Sequence, residues 1–180
     1  PSRQSYISSP KDDSAKVSQA ASEWQNRPLE SLYMIVWMDG IVFKVRENGK
    51  VINKTVYLCV GLNKEGLKEV LGMWVGKNES AAFWMGVLTD LKARGVEDIL
   101  ITVTDNLNGF TETIKSVFPT STTQICVVHQ IRNSCRYVVW KEKKEFTSDL
   151  KNIYNAPTKE AAKMELENFE QKWGTKYPVS

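Results

Sequence analysis

Residues 32–45 read LYMIVWMDGIVFKV, and this stretch decides the fold. Its first part, Leu32–Met38, is a continuous apolar run that is shorter than a typical helix and suits a strand buried on both faces. Asp39 and Gly40 interrupt the run, which then resumes as a second strand-like piece, Ile41–Val45. We therefore expect a central strand of a sheet with a carboxylate at its end.

The next residues predict an antiparallel meander. Asn48 and Gly49 form the dipeptide most typical of a tight hairpin turn, and a strand over Lys54–Val60 follows it. A turn at Asn63–Gly66 then leads to a third strand over Lys68–Val75.

Beyond the meander, helices and strands alternate. Apolar residues recur at helical spacing and stop before Gly95; they are Trp84, Val87, Leu88 and Leu91. The elements predicted after them are a strand over Asp98–Asp105, a helix over Gly109–Phe118, a strand over Thr123–Val128, and helices from His129 onward. The order β-β-β-α-β-α-β predicts an α/β fold with a mixed sheet and helices on its faces, as in ribonuclease-H-like domains.

Two aspartates end apolar strands in this scheme. Asp39 closes the first strand and Asp105 closes the fourth, and ligand sites of open α/β sheets lie at the carboxyl ends of strands. Because two adjacent carboxylates repel unless a cation lies between them, the pair suggests a metal site. Bound metal ions of this kind support phosphoryl transfer. The alternatives are that Asp39 begins a turn with Gly40 and that Asp105 caps the helix near Gly109.

Composition and motifs exclude several classes of protein. The chain has 180 residues, a net charge of +3 and three cysteines; the odd cysteine count is unlike a disulfide scaffold and suits a reducing cytoplasm. No apolar run approaches the length of a membrane span, and no nucleotide-binding loop or serine nucleophile elbow occurs. Cys126, His129 and Cys135 offer three ligands where a structural zinc ion takes four, so a zinc site is disfavoured.

The segment from His129 to Ile153 is basic. It holds six basic and three acidic residues, a net charge equal to that of the whole chain. On charge alone this composition favours a solvated helix face, and a helix that contacts phosphates is the alternative.

The chain also resembles a known family, the bacterial Mutator-type insertion-sequence transposases, from about Glu23 to Pro178. The matching segments are EWQNRPLE (23–30), MDGI (38–41), KVRENGKVINKTVY (44–57), KEVLGMWVGKNESAAFW (68–84), TDNLNGF (104–110), CVVHQIRNS (126–134) and FEQKWGTKYP (169–178).

The resemblance implies a ribonuclease-H-like catalytic core with an Asp-Asp-Glu triad. Asp39 matches the first aspartate and Asp105 the second, while Cys126 and His129 match the C-x2-H signature of the family. The glutamate of the family lies in a motif like NAIES, which is absent here. We therefore expect a truncated core that is inactive, or nearly so, by itself. The expected segments are 1–28 as a linker or flanking helix, 29–130 as the catalytic core and 131–180 as a truncated helical insertion.

The implied reaction is metal-dependent cleavage at a transposon end, followed by attack of the released 3′-hydroxyl on target DNA. The expected cofactor is Mg²⁺ or Mn²⁺, with two ions in the complete enzyme. The expected partners are both DNAs and further copies of the protein, in the bacterial cytoplasm and without a membrane. Residues expected to contact DNA are His129, Arg132, Arg136, Lys141 and Lys143. Two alternatives remain open: a ribonuclease-H-like nuclease that never joins strands, and a degenerate remnant that only binds DNA.

Overall fold

The computed structural model of the chain describes residues 10–76, 80–105 and 107–178. The chain divides into two compact units, Pro1–Gln124 and Ile125–Ser180. The elements are, in chain order, α1 (Pro10–Gln25), β1 (Leu32–Glu47), β2 (Lys50–Leu62), β3 (Lys68–Gly76), α2 (Ala81–Ala93), β4 (Asp98–Thr104), α3 (Phe110–Val117), β5 (Thr122–Ile125), α4 (Val127–Ser134), a 3₁₀ turn (Trp140–Glu142), α5 (Lys143–Tyr154), α6 (Lys159–Phe169) and a π-helical turn (Glu170–Gly174).

The five strands form one mixed sheet in the order β3-β2-β1-β4-β5. The pairs β1–β2 and β2–β3 are antiparallel, whereas β1 and β4 run parallel. This strand order is that of the ribonuclease-H-like fold and confirms the predicted mixed sheet with β1 inside it.

Strand β1 is a single continuous strand, so the prediction of two pieces separated at Asp39 and Gly40 is wrong. Gly40 pairs with Tyr57 of β2. A Cβ atom on Gly40 would lie only 3.2 Å from the Tyr57 ring and from the Thr55 methyl group. Glycine is therefore present because the tyrosine ring packs against the strand, and β1 continues past it.

The predicted hairpin turn is confirmed. Asn48 and Gly49 have φ angles of 51° and 75°, and Glu47 pairs with Lys50 across them. Positive φ at both central residues is the signature of a type I′ turn, whose twist matches that of the flanking strands. Strand β2 therefore begins at Lys50, four residues earlier than predicted.

The core of the first unit lies between the sheet and helix α2. The predicted stripe of α2 is buried in full, and Trp84 is completely inaccessible. Its ring stacks on Phe110 of α3 with centroids 4.8 Å apart and meets Tyr57 edge-on at 5.6 Å. The Ser80 hydroxyl caps α2 by accepting from the Phe83 N–H at 3.1 Å.

Strand β5 ends three residues earlier than predicted. The Gln130 N–H donates to the Cys126 carbonyl at 2.9 Å, which begins helix α4 directly after the strand. Val127 and Val128, which the apolar run assigned to a strand, are 43% and 53% exposed. Cys126, which lies inside the predicted strand Thr123–Val128, is therefore not in a strand: it is the half-buried N-cap residue of α4.

The second unit is helical and has its own aromatic core. Phe146 is fully buried, and its ring lies edge-on to Phe169 at 4.9 Å and to Trp173 at 5.4 Å. The Trp173 indole N–H donates to Asp149 at 2.9 Å, so its polar atom is satisfied at the edge of this core. Among the described residues of both units, no helix is long and apolar enough to cross a membrane.

Replacing Gly86 by alanine is expected to stabilise the protein by about 0.5–1 kcal/mol. Gly86 lies on the exposed side of α2, and a Cβ atom there would meet nothing within 4 Å. Gly49→Ala is the matched contrast: it also meets no atom within 4 Å, but its left-handed φ should make alanine cost about 1–2 kcal/mol. Urea denaturation of both variants measures the two effects, and changes of the same sign would contradict this account.

Candidate active site

The pairing of β1 with β4 runs toward the two predicted aspartates. Leu32 pairs with Asp98 and Trp37 with Val103, a constant offset of 66 residues. Asp39 and Asp105 are separated by the same 66 residues and follow the last of these pairs by two positions. Continued by two residues, this register would set them next to each other on one face, since paired strands lie about 5 Å apart.

Asp39 lies in the middle of β1, opposite Leu58 of β2. Its side chain is exposed, whereas that of the preceding residue, Met38, is buried. The alternation of strand side chains thus directs this carboxylate away from the face that packs on α2. Because β1 continues on both sides of it, Asp39 is held by a strand and does not begin a turn.

Asp105 follows the last residue of β4 and is half-buried. Its Oδ1 atom is inaccessible to solvent and has no hydrogen-bond partner among the described residues. Leaving a carboxylate oxygen in this state is costly unless a cation or a water molecule satisfies it. The alternative role, capping α3, is not observed, because the N-cap of α3 is Gly109 and receives no side-chain cap bond.

This arrangement fits a divalent metal ion in part. Two neighbouring carboxylates provide the oxygen ligands that Mg²⁺ and Mn²⁺ prefer, and a cation would satisfy the orphaned oxygen of Asp105. However, the described part of the chain contains no group of three or more histidine, cysteine, aspartate or glutamate side chains that could hold a metal. The aspartate pair therefore supplies two ligands of a site that would need others.

Cys126 and His129 both belong to the second unit. Cys126 is the N-cap of α4, His129 lies one turn further along the same helix, and both side chains are half-buried. Cys135 is the C-cap of α4. Cys59 is fully buried in β2 of the first unit, where burial raises the pKa of its thiol well above the usual value.

The predicted basic helix is in fact three separate elements, which corrects the sequence interpretation. Arg132 lies in α4, Arg136 follows the C-cap of that helix, Lys141 lies in the 3₁₀ turn, and Lys143 begins α5. The short α4 ends at Ser134, with Cys135 as its C-cap. Arg132, Arg136 and Lys141 are exposed, Lys143 is half-buried, and none of the four has an ion-pair partner among the described residues.

The acidic residues of the same segment are engaged by later lysines. Lys176 and Tyr177 hydrogen-bond to Glu142 and hold the pKa of its carboxyl group below the usual value. Lys172 contacts both Glu145 at 2.6 Å and Asp149 at 2.7 Å. These pairs leave the cations of the segment available for another partner.

A second basic surface was not singled out from the sequence. Lys44 and Arg46 lie on β1 beyond Asp39, and both side chains are exposed. In the sequence, this surface is indicated by two cations that alternate along one strand. The small net charge of the whole chain does not reveal it.

Strand order defines the class: a ribonuclease-H-like domain with a five-stranded mixed sheet. The sequence profile of the Mutator family of transposases matches residues 4–179. The chain therefore belongs to the Mutator transposase family, as the resemblance of its motifs implied.

Curated relatives agree with this assignment. A probable transposase for an ISRM3-like insertion sequence from Sinorhizobium fredii is 46% identical over 165 residues, which are 91% of this chain and 41% of that protein. The transposase for insertion sequence element ISRM3 from Rhizobium meliloti is also 46% identical, over 164 residues and with the same shares of each chain. The chain thus spans about two fifths of the length of these relatives.

Solved structures show a weaker likeness. The catalytic core domain of HTLV-2 integrase in complex with magnesium is 17% identical, with a TM-score of 0.36 over 78% of this chain and 86% of that domain. The Drosophila P element transposase strand transfer complex has the same TM-score at 12% identity, over 91% of this chain and 54% of that one. At this level of similarity the fold assignment rests on the strand order and on the family match.

Proposed function

We propose that the chain is the catalytic-core segment of an insertion-sequence transposase in which Asp39 and Asp105 bind divalent metal ions. The observation that carries the proposal is the shared offset of 66 residues, which would set the two carboxylates side by side if the observed register continued by two residues. The buried and unpartnered Oδ1 of Asp105 supports it independently. The reaction is cleavage and strand transfer of DNA.

The two aspartates would hold Mg²⁺ or Mn²⁺, with two ions in the complete enzyme. Bound ions of this kind activate an attacking oxygen and stabilise the leaving oxygen of a phosphodiester. The protein contributes rigidity, because Asp39 is held by pairing of β1 with β2 and Asp105 by attachment to β4. No third carboxylate joins the pair among the described residues, so we propose that residues 1–180 alone cleave DNA weakly or not at all.

The partners of the proposed enzyme are DNA at transposon ends and at target sites, and further copies of the transposase. An enzyme acting on the DNA of a bacterium would work in its cytoplasm. The cations of the second unit, Arg132, Arg136, Lys141 and Lys143, would contact phosphates without reading sequence.

Titration of Mn²⁺ into the 180-residue chain tests the metal site. We expect paramagnetic broadening of backbone amide signals to centre on Asp39 and Asp105, since broadening decays steeply with distance from a bound ion. The Asp39→Asn, Asp105→Asn double variant should lose it. An Asp12→Asn, Asp13→Asn double variant, which removes the same charge near the amino terminus, should keep it.

Each outcome of the titration bears on the proposal. Broadening that persists in the Asp39→Asn, Asp105→Asn variant would contradict it. If neither the unaltered chain nor the variant shows local broadening, the titration is repeated on a chain extended to include the glutamate of the family. Broadening at the two aspartates of the extended chain supports the site, and its absence there refutes the site.

Charge reversal at Lys141 and Lys143 tests the contact with DNA. The double variant Lys141→Glu, Lys143→Glu should bind a mixed-sequence duplex at least about tenfold more weakly, and the slope of log affinity against log salt should fall by about 2. Fluorescence anisotropy over a range of salt concentrations measures both quantities. Unchanged affinity and slope would remove these lysines from the proposed interface.

A further inference from the structure

The hairpin of β1 and β2 extends beyond the rest of the sheet. Strand β1 pairs with β4 only as far as Trp37, and β2 pairs with β3 only from Thr55 onward. In the described part of the chain, residues 43–54 therefore pair only with one another, as a two-stranded ribbon. We call residues 43–54 the ribbon.

Several contacts stiffen the ribbon. The type I′ turn closes its tip, Lys54 forms an ion pair with Glu47 at 3.2 Å, and Val45 lies opposite Ile52. An isolated hairpin is marginally stable in water, but this one continues two strands whose other halves lie inside the five-stranded sheet. The ribbon is thus a projection with a rigid base.

One face of the ribbon is cationic. Lys44 and Arg46 alternate along β1 and therefore point to the same side, where Asn53 is the residue opposite Lys44. Both cations are exposed and have no ion-pair partner among the described residues. The ribbon holds four basic residues and a single acid, Glu47, which Lys54 already neutralises.

A phosphate-bearing partner fits this face better than a protein does. Two exposed cations beside amide and hydroxyl side chains match the charge and hydrogen-bond acceptors of a nucleic-acid backbone. The exposed apolar residues on the same face are two valines, Val42, which is 62% exposed, and Val51, which is 60% exposed. Phe43, which is 37% exposed, points to the other face. A two-stranded ribbon also has the width that the major groove of duplex DNA admits.

From these features we infer that the ribbon is a binding arm for duplex DNA, an inference that rests on the proposed function. Arg46 lies seven residues along β1 from Asp39, or about 23 Å of extended chain. That length corresponds to roughly seven base pairs at 3.4 Å each. Because Lys44 and Arg46 lie five and seven residues beyond Asp39, both odd numbers, strand alternation directs them to the face of β1 opposite Asp39. These two side chains therefore contact the duplex away from the aspartate pair.

Binding of a fluorescein-labelled duplex of mixed sequence, measured by anisotropy in EDTA, tests the arm without any metal. The Lys44→Gln, Arg46→Gln variant is expected to bind about tenfold more weakly, with a salt slope lower by about 2. The Lys64→Gln, Lys115→Gln variant removes the same charge from a turn and from α3, and its affinity should change less than about twofold. Equal affinities for the two variants would overturn the inference.

A second measurement on the unaltered protein does not depend on how the variants fold. Addition of the duplex should shift the amide signals of residues 42–55. If those signals do not shift, the inference is also overturned. If the ribbon variant instead changes the sedimentation of the free protein and leaves DNA affinity intact, the ribbon contacts protein and the inference is wrong.

Failure of the arm and failure of the proposed function are distinguishable. The ribbon variant should retain Mn²⁺ broadening at Asp39 and Asp105, because the ribbon lies outside the aspartate pair. If the ribbon variant binds DNA as tightly as the unaltered chain and keeps its Mn²⁺ broadening, only the inference about the ribbon is refuted. Loss of broadening from the unaltered chain and from its extended form refutes the metal site, whatever the ribbon does.

Discussion

Asp105→Asn is expected to lower the rate of DNA strand cleavage by the complete transposase by about a thousandfold or more, equivalent to about 4 kcal/mol of transition-state stabilisation. Asparagine keeps the shape of the side chain but removes the charge that would hold a divalent cation in the proposed site. The measurement is single-turnover cleavage of a labelled transposon-end duplex in Mg²⁺.

The fold should survive this change. Because the Oδ1 atom of Asp105 is buried without a partner among the described residues, replacing the carboxylate with a neutral amide lowers the cost of burial. The variant should therefore be at least as stable as the parent toward urea. A residue retained only for structure would show the reverse, a loss of stability with cleavage preserved.

Asp98→Asn is the matched control, since Asp98 lies at the opposite end of the same strand. Its Oδ1 atom accepts hydrogen bonds from the Ile99 N–H at 2.8 Å and from the Thr120 hydroxyl at 2.5 Å. An amide oxygen accepts both bonds, so cleavage should change by less than about threefold. Equal losses of rate at Asp98 and Asp105 would contradict a site at the carboxyl ends of the strands.

Trp84→Ala should lower the free energy of unfolding of the first unit by about 3–5 kcal/mol. Trp84 is completely buried and is the largest side chain between the sheet and its helices. Its removal takes away the stacked contact with Phe110 and the edge contact with Tyr57, and it leaves a cavity that the remaining rings can fill only in part. Urea denaturation followed by the amide signals of residues 32–124 measures the loss.

A second tryptophan of the chain provides a control for the loss of an indole side chain. Trp140 is 87% exposed, so Trp140→Ala should change stability by no more than about 0.5 kcal/mol. If Trp84→Ala lowered the free energy of unfolding as little as Trp140→Ala, the buried residues of α2 would not hold the sheet and the helix together.

Much of the fold was predictable because its signals are local. The asparagine–glycine pair specifies the hairpin, and the helical spacing of Trp84 and its neighbours specifies α2. The parallel pairing of β1 with β4 follows from the order of these elements.

The sequence predictions failed where packing overrides local preference. Gly40 signals a break in any isolated strand, but here it makes room for the Tyr57 ring and the strand continues. Val127 and Val128 favour a strand by composition, yet they begin a helix and remain exposed. Charge alone did not predict that the basic segment after His129 divides into three elements, because charge has no helical period of its own.

Equal run lengths determine where the two carboxylates lie. Asp39 is the seventh residue after Leu32, and Asp105 is the seventh after Asp98, the partner of Leu32 across the parallel pair. The loops between these runs, such as the Asn63–Gly66 turn, have no part in that alignment, so a change in their length need not disturb the pair. A single residue gained or lost inside either run would instead turn one carboxylate to the opposite face of the sheet. The protein can therefore tolerate length changes in its connections but not within these two runs of seven.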